Sequence, residues 1–216
     1  MDWEQARYYM VEQQIRPWDV LDQTILGLLL ELKREDFVPA AHRDLALVDM
    51  ELPLGNGQRM LQPKLEARIA QEVALTGKER VLEIGTGGAY LTALLARLSK
   101  QVYSVEIDAT LADAARPKLA KAGIQNVVVE IGDAARGWTK HAPYDVIVAS
   151  GSYPTTPDFL FDQLTEGGRL FAIVGEEPVM TATLYTKTGG SVVATKLFET
   201  VVQPLQNVPQ PERFAF

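Results

Sequence analysis

Hydrophobic positions recur at helical spacing over the first third of the chain. Residues 2–15 have the pattern of an amphipathic helix, and a second, more apolar helix is predicted over 20–32 with Asp19 as its N-cap. The stretch 49–62 contains Pro53, Gly55 and Gly57 and predicts a loop. Pro63 suits the first turn of a helix that extends to about residue 75. The pattern therefore predicts a helical entry followed by one long loop.

Short apolar runs then alternate with helical segments. Strands are predicted at 80–84, 101–106, 126–131, 144–149 and 168–174, and helices at 89–98, 109–122 and 157–164. This alternation is typical of a parallel sheet that is covered on both faces. Two β-rich runs follow, at 179–187 and 191–202, with a hairpin turn signal at 187–190. The predicted fold class is α/β, a doubly wound, mostly parallel sheet with N-terminal helices and an antiparallel C-terminal edge.

Composition and charge place limits on the function. The 216 residues are 47% hydrophobic and 23% charged, which is typical of a single globular domain. The net charge of -7 argues against a nucleic-acid backbone as the main partner. The chain has no Cys and two His, which excludes disulfides, catalytic thiols and Cys-ligated zinc and leaves no material for a histidine-rich metal site.

Membrane insertion is not expected either. The apolar run at 24–32 is about half the length that is needed to span a bilayer, and the N-terminal 21 residues lack the apolar core of a secretory signal. We therefore expect a cytoplasmic protein that binds neither membrane nor nucleic acid. The sequence leaves the oligomeric state open.

A glycine cluster follows the first strand of the predicted sheet and opens a helix. Gly85 permits a tight turn, while Gly87 and Gly88 let the backbone approach a ligand with no Cβ in the way. A dinucleotide-binding turn would need a third glycine where Tyr90 stands, and a Gly-Lys-Ser/Thr phosphate loop is absent. Since ligands bind at the carboxyl ends of parallel strands, the cluster predicts a nucleotide-type ligand held without a pyrophosphate cradle.

Three carboxylates accompany this turn. Glu106 ends the second strand and suits two ribose hydroxyls, and Asp133 follows the third strand and can accept from the adenine amine. Glu83, just before the turn, is expected to add negative charge near a sulfonium and an ammonium group. Glu106 also has the simpler interpretation of a solvated strand end, Asp133 that of a turn cap, and Asp108 is read as a helix N-cap. Three acids without a phosphate anchor fit S-adenosylmethionine better than a dinucleotide. The predicted cofactor site comprises Glu83, Gly85, Thr86, Gly87, Gly88, Glu106, Ile107, Gly132, Asp133 and Ala134.

Further motifs extend from about residue 10 to residue 205. They include Phe37-Val-Pro39, Leu52-Pro-Leu-Gly-Asn-Gly-Gln58, Gln62-Pro63, Val81-Leu-Glu-Ile-Gly-Thr-Gly87, Val102-Tyr-Ser-Val-Glu106, Gly132-Asp133, Gly137-Trp138 and Ala142-Pro-Tyr-Asp145. With these motifs the chain resembles the protein-L-isoaspartate (D-aspartate) O-methyltransferase family. The glycine turn is shared by many methyltransferases, whereas the 52–58 segment and Gly137-Trp138 are more particular to this family.

The resemblance implies a Rossmann-like class I methyltransferase that uses S-adenosylmethionine in protein repair. Its implied substrates are isoaspartyl residues of damaged proteins or peptides, whose stray α-carboxylate is methylated so that the succinimide re-forms. A carboxylate is already nucleophilic and a sulfonium already leaves readily, so positioning can supply about 7 kcal/mol or more. Within a single domain over 1–216, residues 1–62 would form a helical cap and acceptor loop, and 63–216 the cofactor-binding sheet.

The acceptor loop departs from the family pattern. Where the family has Thr-Ile-Ser, with the serine at the reacting carboxylate, this chain has Arg59-Met60-Leu61. Leu61 cannot donate a hydrogen bond. Either Arg59 pairs with the substrate carboxylate instead, or the pocket takes a less polar acceptor. We assign Arg59 and Leu61 to the acceptor side. The alternatives are a methyltransferase for another small-molecule or protein acceptor and a catalytically silent S-adenosylmethionine-binding protein.

Overall fold

A seven-stranded sheet lies at the centre of the fold, in a computed structural model that describes residues 2–211. The strands, in chain order, are β1 (Leu52–Gly55), β2 (Gln58–Met60), β3 (Arg80–Ile84), β4 (Gln101–Glu106), β5 (Val127–Ile131), β6 (Tyr144–Tyr153), β7 (Leu164–Glu176), β8 (Val179–Thr188) and β9 (Ser191–Thr200). The sheet has the order β5-β4-β3-β6-β7-β8-β9, while β1 and β2 form a separate hairpin.

The order of the strands creates a crevice beside β3. The chain proceeds outward from β3 to β4 and β5, and then returns to place β6 on the other side of β3. The five strands from β5 to β7 are parallel, and β8 and β9 are antiparallel to their neighbours. The predicted α/β fold with an antiparallel edge is therefore confirmed. Connections that diverge from adjacent strands leave a ligand crevice at the carboxyl ends of those strands.

Helices cover the sheet and also form the N-terminal region of the chain. They are α1 (Trp3–Tyr9), α2 (Gln23–Glu31), α3 (Pro63–Glu72), α4 (Tyr90–Leu98) and α5 (Ala109–Lys121). A π-helical segment (Met10–Ile15) continues α1, and 3-10 turns occupy Arg16–Trp18, Arg34–Asp36, Ala40–Leu45, Thr139–His141 and Asp158–Gln163. The helix predicted at 157–164 is thus a 3-10 segment. Within residues 2–211, no helix is long and apolar enough to cross a membrane.

The start of α2 differs from the prediction. Asp19 has a left-handed backbone (φ 59°) and ends the preceding 3-10 turn instead of capping a helix. Asp22 is the N-cap, because its side chain accepts from the backbone amides of Thr24, at 2.7 Å, and Ile25. Both aspartates fit the capping preference, and only the backbone conformation distinguishes them.

The segment 49–62 contains a hairpin where a loop was predicted. Asn56 and Gly57, between β1 and β2, have φ values of 51° and 75°. Successive positive φ values are typical of a tight hairpin turn, for which Asn-Gly is a strong sequence signal. The prediction of a loop was wrong because Pro53, Gly55 and Gly57 favour irregular structure in general, whereas Asn56-Gly57 forms the tight turn that lets the flanking residues pair.

The central strands are buried on both faces. Val81 in β3 and Val146 in β6 pack into the core on one side of the sheet, whereas Leu82 and Ile147 pack into the core on the other side. Side chains alternate along a strand, so near-continuous apolar runs are what a doubly covered sheet requires. This double burial fixes the strand ends that carry the candidate site.

Candidate functional site

One pocket opens at the carboxyl ends of β3, β4, β5 and β6. It encloses about 710 Å³ of space, including its open mouth. Four parts of the chain line it: the strand ends with their turns, the β1–β2 hairpin with its flanks, Leu111 of α5, and the C-terminal segment 203–206. The lining residues are Glu51, Leu54, Gln58, Arg59, Leu61, Ile84, Gly85, Gly87, Val105, Glu106, Ile107, Leu111, Gly132, Asp133, Ala134, Ala135, Ser150, Gly151, Gln203, Pro204, Leu205 and Gln206.

The glycine turn forms one wall of the pocket. Gly85 has φ 93°, and a Cβ at that position would overlap Ser150 Oγ. Ser150 Oγ lies 2.8 Å from the carbonyl oxygen of Ile84 and 2.7 Å from that of Gly85, which holds β6 against the turn. Only glycine combines this conformation with this close approach. The exposed backbone leaves room for a ligand, as the sequence indicated.

Glu106, at the end of the neighbouring strand β4, holds the glycine turn by a hydrogen bond. Its carboxylate is 4% exposed, and Oε2 accepts from the Gly87 amide at 2.8 Å while Oε1 accepts from the Asp108 amide at 3.0 Å. Each carboxylate oxygen can accept more than one hydrogen bond. Glu106 therefore has acceptor capacity left for ligand hydroxyls, in an orientation that two backbone amides fix.

Asp133 occupies the equivalent position after β5. Its Oδ1 accepts from the Ala135 amide at 2.9 Å, and its Oδ2 accepts from Asn207 Nδ2 at 2.8 Å. The backbone at Gly132 passes directly over the Trp138 ring, where a Cβ would overlap the indole. The Gly132-Asp133 and Gly137-Trp138 motifs therefore act together, since the indole requires glycine at 132 and so places Asp133 at the pocket wall.

Glu83 does not line the pocket, so the expectation that it supplies negative charge beside the ligand is revised. It is fully buried, and its Oε2 accepts from Thr92 Oγ1 and Ser104 Oγ, both at 2.6 Å. Burial is the main cause that raises the pKa of Glu83 to about 8, so the carboxyl is mostly protonated at neutral pH. Glu83 instead joins β3, β4 and α4 beneath the glycine turn.

Thr86 and Gly88 also lie outside the lining of the pocket. Thr86 is buried, with its Oγ1 2.6 Å from Ser104 Oγ in the same hydrogen-bonded group as Glu83. Gly88 faces Met60 of the hairpin, whose Sδ would lie 2.9 Å from a Cβ at that position. The remaining predicted cofactor residues line the pocket: Gly85, Gly87, Glu106, Ile107, Gly132, Asp133 and Ala134.

Arg59 and Leu61 line this same pocket, opposite the strand ends. The Arg59 side chain is exposed, and no hydrogen bond or salt bridge joins it to another side chain within residues 2–211. Glu51 lies near it, and burial raises the pKa of Glu51 while the Arg59 charge opposes that shift. The guanidinium is therefore available to an incoming anion.

Leu61 is held by its backbone. Its side chain is 8% exposed, and its carbonyl oxygen accepts from Arg34 Nη2 at 2.6 Å. Arg34 also forms a buried ion pair with Glu66, at 2.9 Å, and donates to the Ala46 carbonyl. Burial raises the pKa of Glu66 to about 7, although the Arg34 charge lowers it. The loop at Leu61 is thus anchored from below.

The C-terminal segment is the part of the pocket that sequence reasoning missed. Ser152 pairs with this segment, because its amide donates to the Gln203 carbonyl and its carbonyl accepts from the Leu205 amide, both at 3.1 Å. Gln203 Nε2 also donates to the Gly57 carbonyl at 2.9 Å. No local motif marks residues 203–206, since their position depends on β6 and the hairpin, which are distant in sequence.

The pocket has the features that S-adenosylmethionine requires. Its wall at the strand ends includes the carboxylates of Glu106 and Asp133, which amides hold with acceptor capacity to spare. Apolar side chains such as Ile84, Val105 and Leu111 complete the wall. A hydroxyl-rich, cationic adenosyl ligand matches this set of acceptors better than a pyrophosphate does.

Comparison with known proteins identifies the family. Residues 6–209 match the family model described as Protein-L-isoaspartate(D-aspartate) O-methyltransferase (PCMT). A protein-L-isoaspartate O-methyltransferase of Gloeobacter violaceus is 38% identical over 197 residues, which cover 91% of this chain and 96% of that protein. One from Synechococcus sp. (strain JA-2-3B'a(2-13)) is 43% identical over 172 residues, 80% of this chain and 70% of the relative.

Solved structures agree with these relatives. A protein-L-isoaspartate O-methyltransferase structure superposes with a TM-score of 0.78 at 27% identity, covering 93% of this chain and 66% of that chain. A Plasmodium falciparum structure assigned as the same enzyme, in complex with S-adenosyl-L-homocysteine, has a TM-score of 0.77 at 18% identity, with coverages of 93% and 98%, and supports the fold alone. From the match to residues 6–209, the chain belongs to the protein-L-isoaspartate (D-aspartate) O-methyltransferase family.

Proposed function

We propose that this protein transfers a methyl group from S-adenosylmethionine to the α-carboxylate of isoaspartyl residues in damaged proteins and peptides. We place this repair activity in the cytoplasm. The observation that carries the proposal is the single pocket in which the acceptor residues Arg59 and Leu61 face the cofactor residues Gly85, Glu106 and Asp133. Membership of the family supports the same substrate class.

We assign cofactor binding to residues whose hydrogen-bond acceptors are held in place by neighbouring amides. Glu106 is proposed to accept from the ribose hydroxyls and Asp133 from the adenine amine, while Gly85 and Gly87 allow the backbone to approach closely. When bound, S-adenosylmethionine supplies a methyl group on a sulfonium, which is a good leaving group. The chain has no need of a thiol or a metal for this reaction.

The acceptor side is assigned to Arg59. Its guanidinium forms no hydrogen bond or salt bridge with another side chain within residues 2–211, although its charge acts on the nearby Glu51. Guanidinium groups bind carboxylates in bidentate fashion. An isoaspartyl carboxylate that pairs with Arg59 keeps its negative charge and so stays nucleophilic at neutral pH. No general base is required, and alignment of the two reactants can supply about 7 kcal/mol or more of the acceleration.

The N-terminal region is proposed to serve this acceptor side. In a single domain over 1–216, residues 1–62 would act as cap and acceptor loop, and 63–216 as the cofactor-binding sheet. The contacts of Arg34 with Leu61 and Ala46 support this division, because a residue from the entry segment holds the acceptor loop. Gln203 supports the loop from the other end of the chain.

The test is a methyl-transfer assay with labelled S-adenosylmethionine. An isoaspartyl peptide and the matched aspartyl peptide are compared, and we expect label in the isoaspartyl peptide alone. Calorimetric titration with S-adenosyl-L-homocysteine establishes cofactor binding independently. Binding without label in either peptide would reject repair activity and favour another acceptor, for which the apolar Leu61 and Leu54 in the pocket are the supporting observation.

Variants at Arg59 test the acceptor assignment. Arg59→Met is expected to raise the KM for the isoaspartyl peptide by about tenfold or more, because a charge-assisted pair contributes about 1.5–3 kcal/mol. Affinity for S-adenosyl-L-homocysteine should change little. Arg116→Met, on the exposed face of α5, is the matched control. An unchanged peptide KM in Arg59→Met would contradict the assignment.

A further inference from the structure

Asn56 and Gly57 form the tip of the β1–β2 hairpin (Leu52–Met60), here called the acceptor hairpin, and both are exposed. Among all Asn and Asp residues of the chain, only Asn56 precedes a glycine. The other two asparagines, Asn126 and Asn207, precede valine. The sequence therefore has one position at which an asparagine side chain and an unhindered backbone amide are adjacent.

This dipeptide is chemically unstable. The backbone nitrogen of Gly57 can attack Cγ of Asn56, the side-chain nitrogen leaves as ammonia, and a succinimide ring forms. Water then opens the ring at either carbonyl and leaves an aspartyl or an isoaspartyl residue. Glycine has no Cβ to hinder the ring closure, whereas the branched Cβ of valine crowds the corresponding nitrogen after Asn126 and Asn207.

The fold around the hairpin tip gives Asn56 and Gly57 limited protection from succinimide formation. β1 and β2 span four and three residues, and their pairing is irregular between Pro53 and Gly55. Leu52 and Met60 bury the base of the hairpin in the core, whereas the tip residues Asn56 and Gly57 are exposed, so ring closure needs a rearrangement of the tip alone. Two hydrogen bonds, here called ties, join the tip to the rest of the protein: Asn56 donates to Asp108, and the Gly57 carbonyl accepts from Gln203.

The Asn56 tie joins the hairpin to the cofactor side of the pocket. Asn56 Nδ2 donates to Asp108 Oδ2 at 2.7 Å. The other oxygen of Asp108 caps α5 through the Thr110 amide, and the Asp108 amide donates to Glu106. A chain of three hydrogen bonds thus connects the hairpin tip to the start of α5 and to the carboxylate that clasps the glycine turn.

Deamidation would turn the attractive contact between Asn56 and Asp108 into a repulsive one. The product carboxyl has no hydrogen to donate when it is ionised, and it faces the ionised Asp108 within a few ångströms. The hydrogen bond is lost and two like charges repel each other. Of the two hydrogen bonds at the tip, only the one from Gln203 to the Gly57 carbonyl then remains.

We propose that Asn56 is a modification site of this protein, at which spontaneous deamidation releases the acceptor hairpin from the cofactor-binding side. As a consequence, the affinity of the protein for its cofactor falls as the protein ages. The inference does not depend on the identity of the methyl acceptor, because it concerns the chemistry of the chain and its affinity for the cofactor product.

The first experiment follows the chemistry by mass. The full chain is incubated in mildly alkaline buffer beside a synthetic peptide of sequence 52–59, and both are digested and mapped at intervals. We expect the mass change of NH₂ replaced by OH, with separable aspartyl and isoaspartyl products, at Asn56 and not at Asn126 or Asn207. An unaltered Asn56 when the synthetic peptide has largely converted would overturn the proposal.

The second experiment measures the consequence by calorimetry with S-adenosyl-L-homocysteine. Aged protein and Asn56→Asp should both bind about two- to tenfold more weakly than fresh protein, the range expected for one lost hydrogen bond. Asn56→Gly accepts the positive φ and cannot deamidate, so its affinity should not change with ageing. Equal affinities of aged protein, Asn56→Asp and fresh protein would show that the tie has no effect on the pocket and overturn that half of the proposal.

Discussion

The Arg34 guanidinium holds the backbone of Leu61, since Arg34 Nη2 donates to the Leu61 carbonyl at 2.6 Å. The guanidinium is fully buried and also contacts Glu66, the Ala46 carbonyl and the Tyr90 ring, whose centroid is 5.6 Å away. The acceptor loop is therefore positioned through its main chain. Because the contact is to the carbonyl oxygen, position 61 keeps its place at the pocket independently of the side chain that it carries.

Removal of Arg34 should destabilise the protein strongly. Arg34→Met leaves Glu66 buried without a cation and two carbonyls without a donor, so we expect a loss of about 3–5 kcal/mol in the free energy of unfolding. Urea titration measures this loss. Arg7→Met is the matched control, because Arg7 forms another buried ion pair, with Glu35, that does not touch the acceptor loop.

Amide hydrogen exchange distinguishes the effect of Arg34→Met from that of Arg7→Met. Amides of the hairpin 52–60 should exchange faster in Arg34→Met, under conditions that favour the native state, and remain protected in Arg7→Met. Equal exchange of the hairpin in both variants would mean that Arg34 contributes stability without positioning the loop.

Glu106→Gln should weaken cofactor binding. The amide cannot accept at both of its ends, so either the Gly87 or the Asp108 amide loses its partner and the turn loses its fixed shape. We expect affinity for S-adenosyl-L-homocysteine, measured by calorimetry, to fall by about ten- to hundredfold, or about 1.5–3 kcal/mol. Glu199→Gln, on the exposed face of β9, should bind like the parent. An unchanged affinity in Glu106→Gln would remove Glu106 from the site.

Local patterns were sufficient to predict the sheet. β4 was predicted with its observed bounds, and β3 likewise, because buried parallel strands are short apolar runs with polar ends. The glycine turn and Glu106 were predicted for the same reason, since their position follows directly from the strands. The match to residues 6–209 confirms the family resemblance, from which Arg59 and Leu61 were assigned to the acceptor side, and that assignment stays a prediction.

Burial and tertiary contacts account for what the sequence did not predict. Glu83 precedes the glycine turn in sequence, but strand alternation points its side chain into the core beside Ser104, away from the pocket. The C-terminal residues Gln203 and Leu205 line the pocket only because β6 extends to Tyr153 and pairs with them. Neither relationship leaves a signal within a short window of sequence.

A serine at position 61 should compensate for the loss of Arg59. In Arg59→Met the acceptor carboxylate loses its proposed cation, and Leu61→Ser in that background introduces a hydrogen-bond donor at a position that lines the same pocket. We expect the double variant to recover part of the kcat/KM for the isoaspartyl peptide. Leu61→Ser alone should cost about 2 kcal/mol or more of stability, because a buried apolar side chain is lost.

The measurement compares initial rates of the four proteins with the same peptide. Urea titration at the assay temperature verifies that each variant is folded. A double variant no better than Arg59→Met would indicate that the two positions do not serve the same carboxylate.

Titration of Glu83 should make stability depend on pH. Its pKa is about 8 in the folded protein, raised mainly by burial, against an ordinary value near 4.5 in the unfolded chain. Between these values the folded state binds more protons than the unfolded state, so stability falls as pH rises through this window. The contribution of this group is at most about 1.4 kcal/mol per pH unit.

Glu83→Gln removes this titration while it keeps an acceptor for Thr92 and Ser104. The variant should therefore gain stability relative to the parent as pH rises from about 5 to about 8, after which the difference should level off. Glu66 titrates in the same direction, with a pKa of about 7, and is present in both proteins, and its charge is a minor cause of the raised pKa of Glu83. Urea midpoints across this pH range measure the difference, and two parallel curves would show that Glu83 stays ionised in the core.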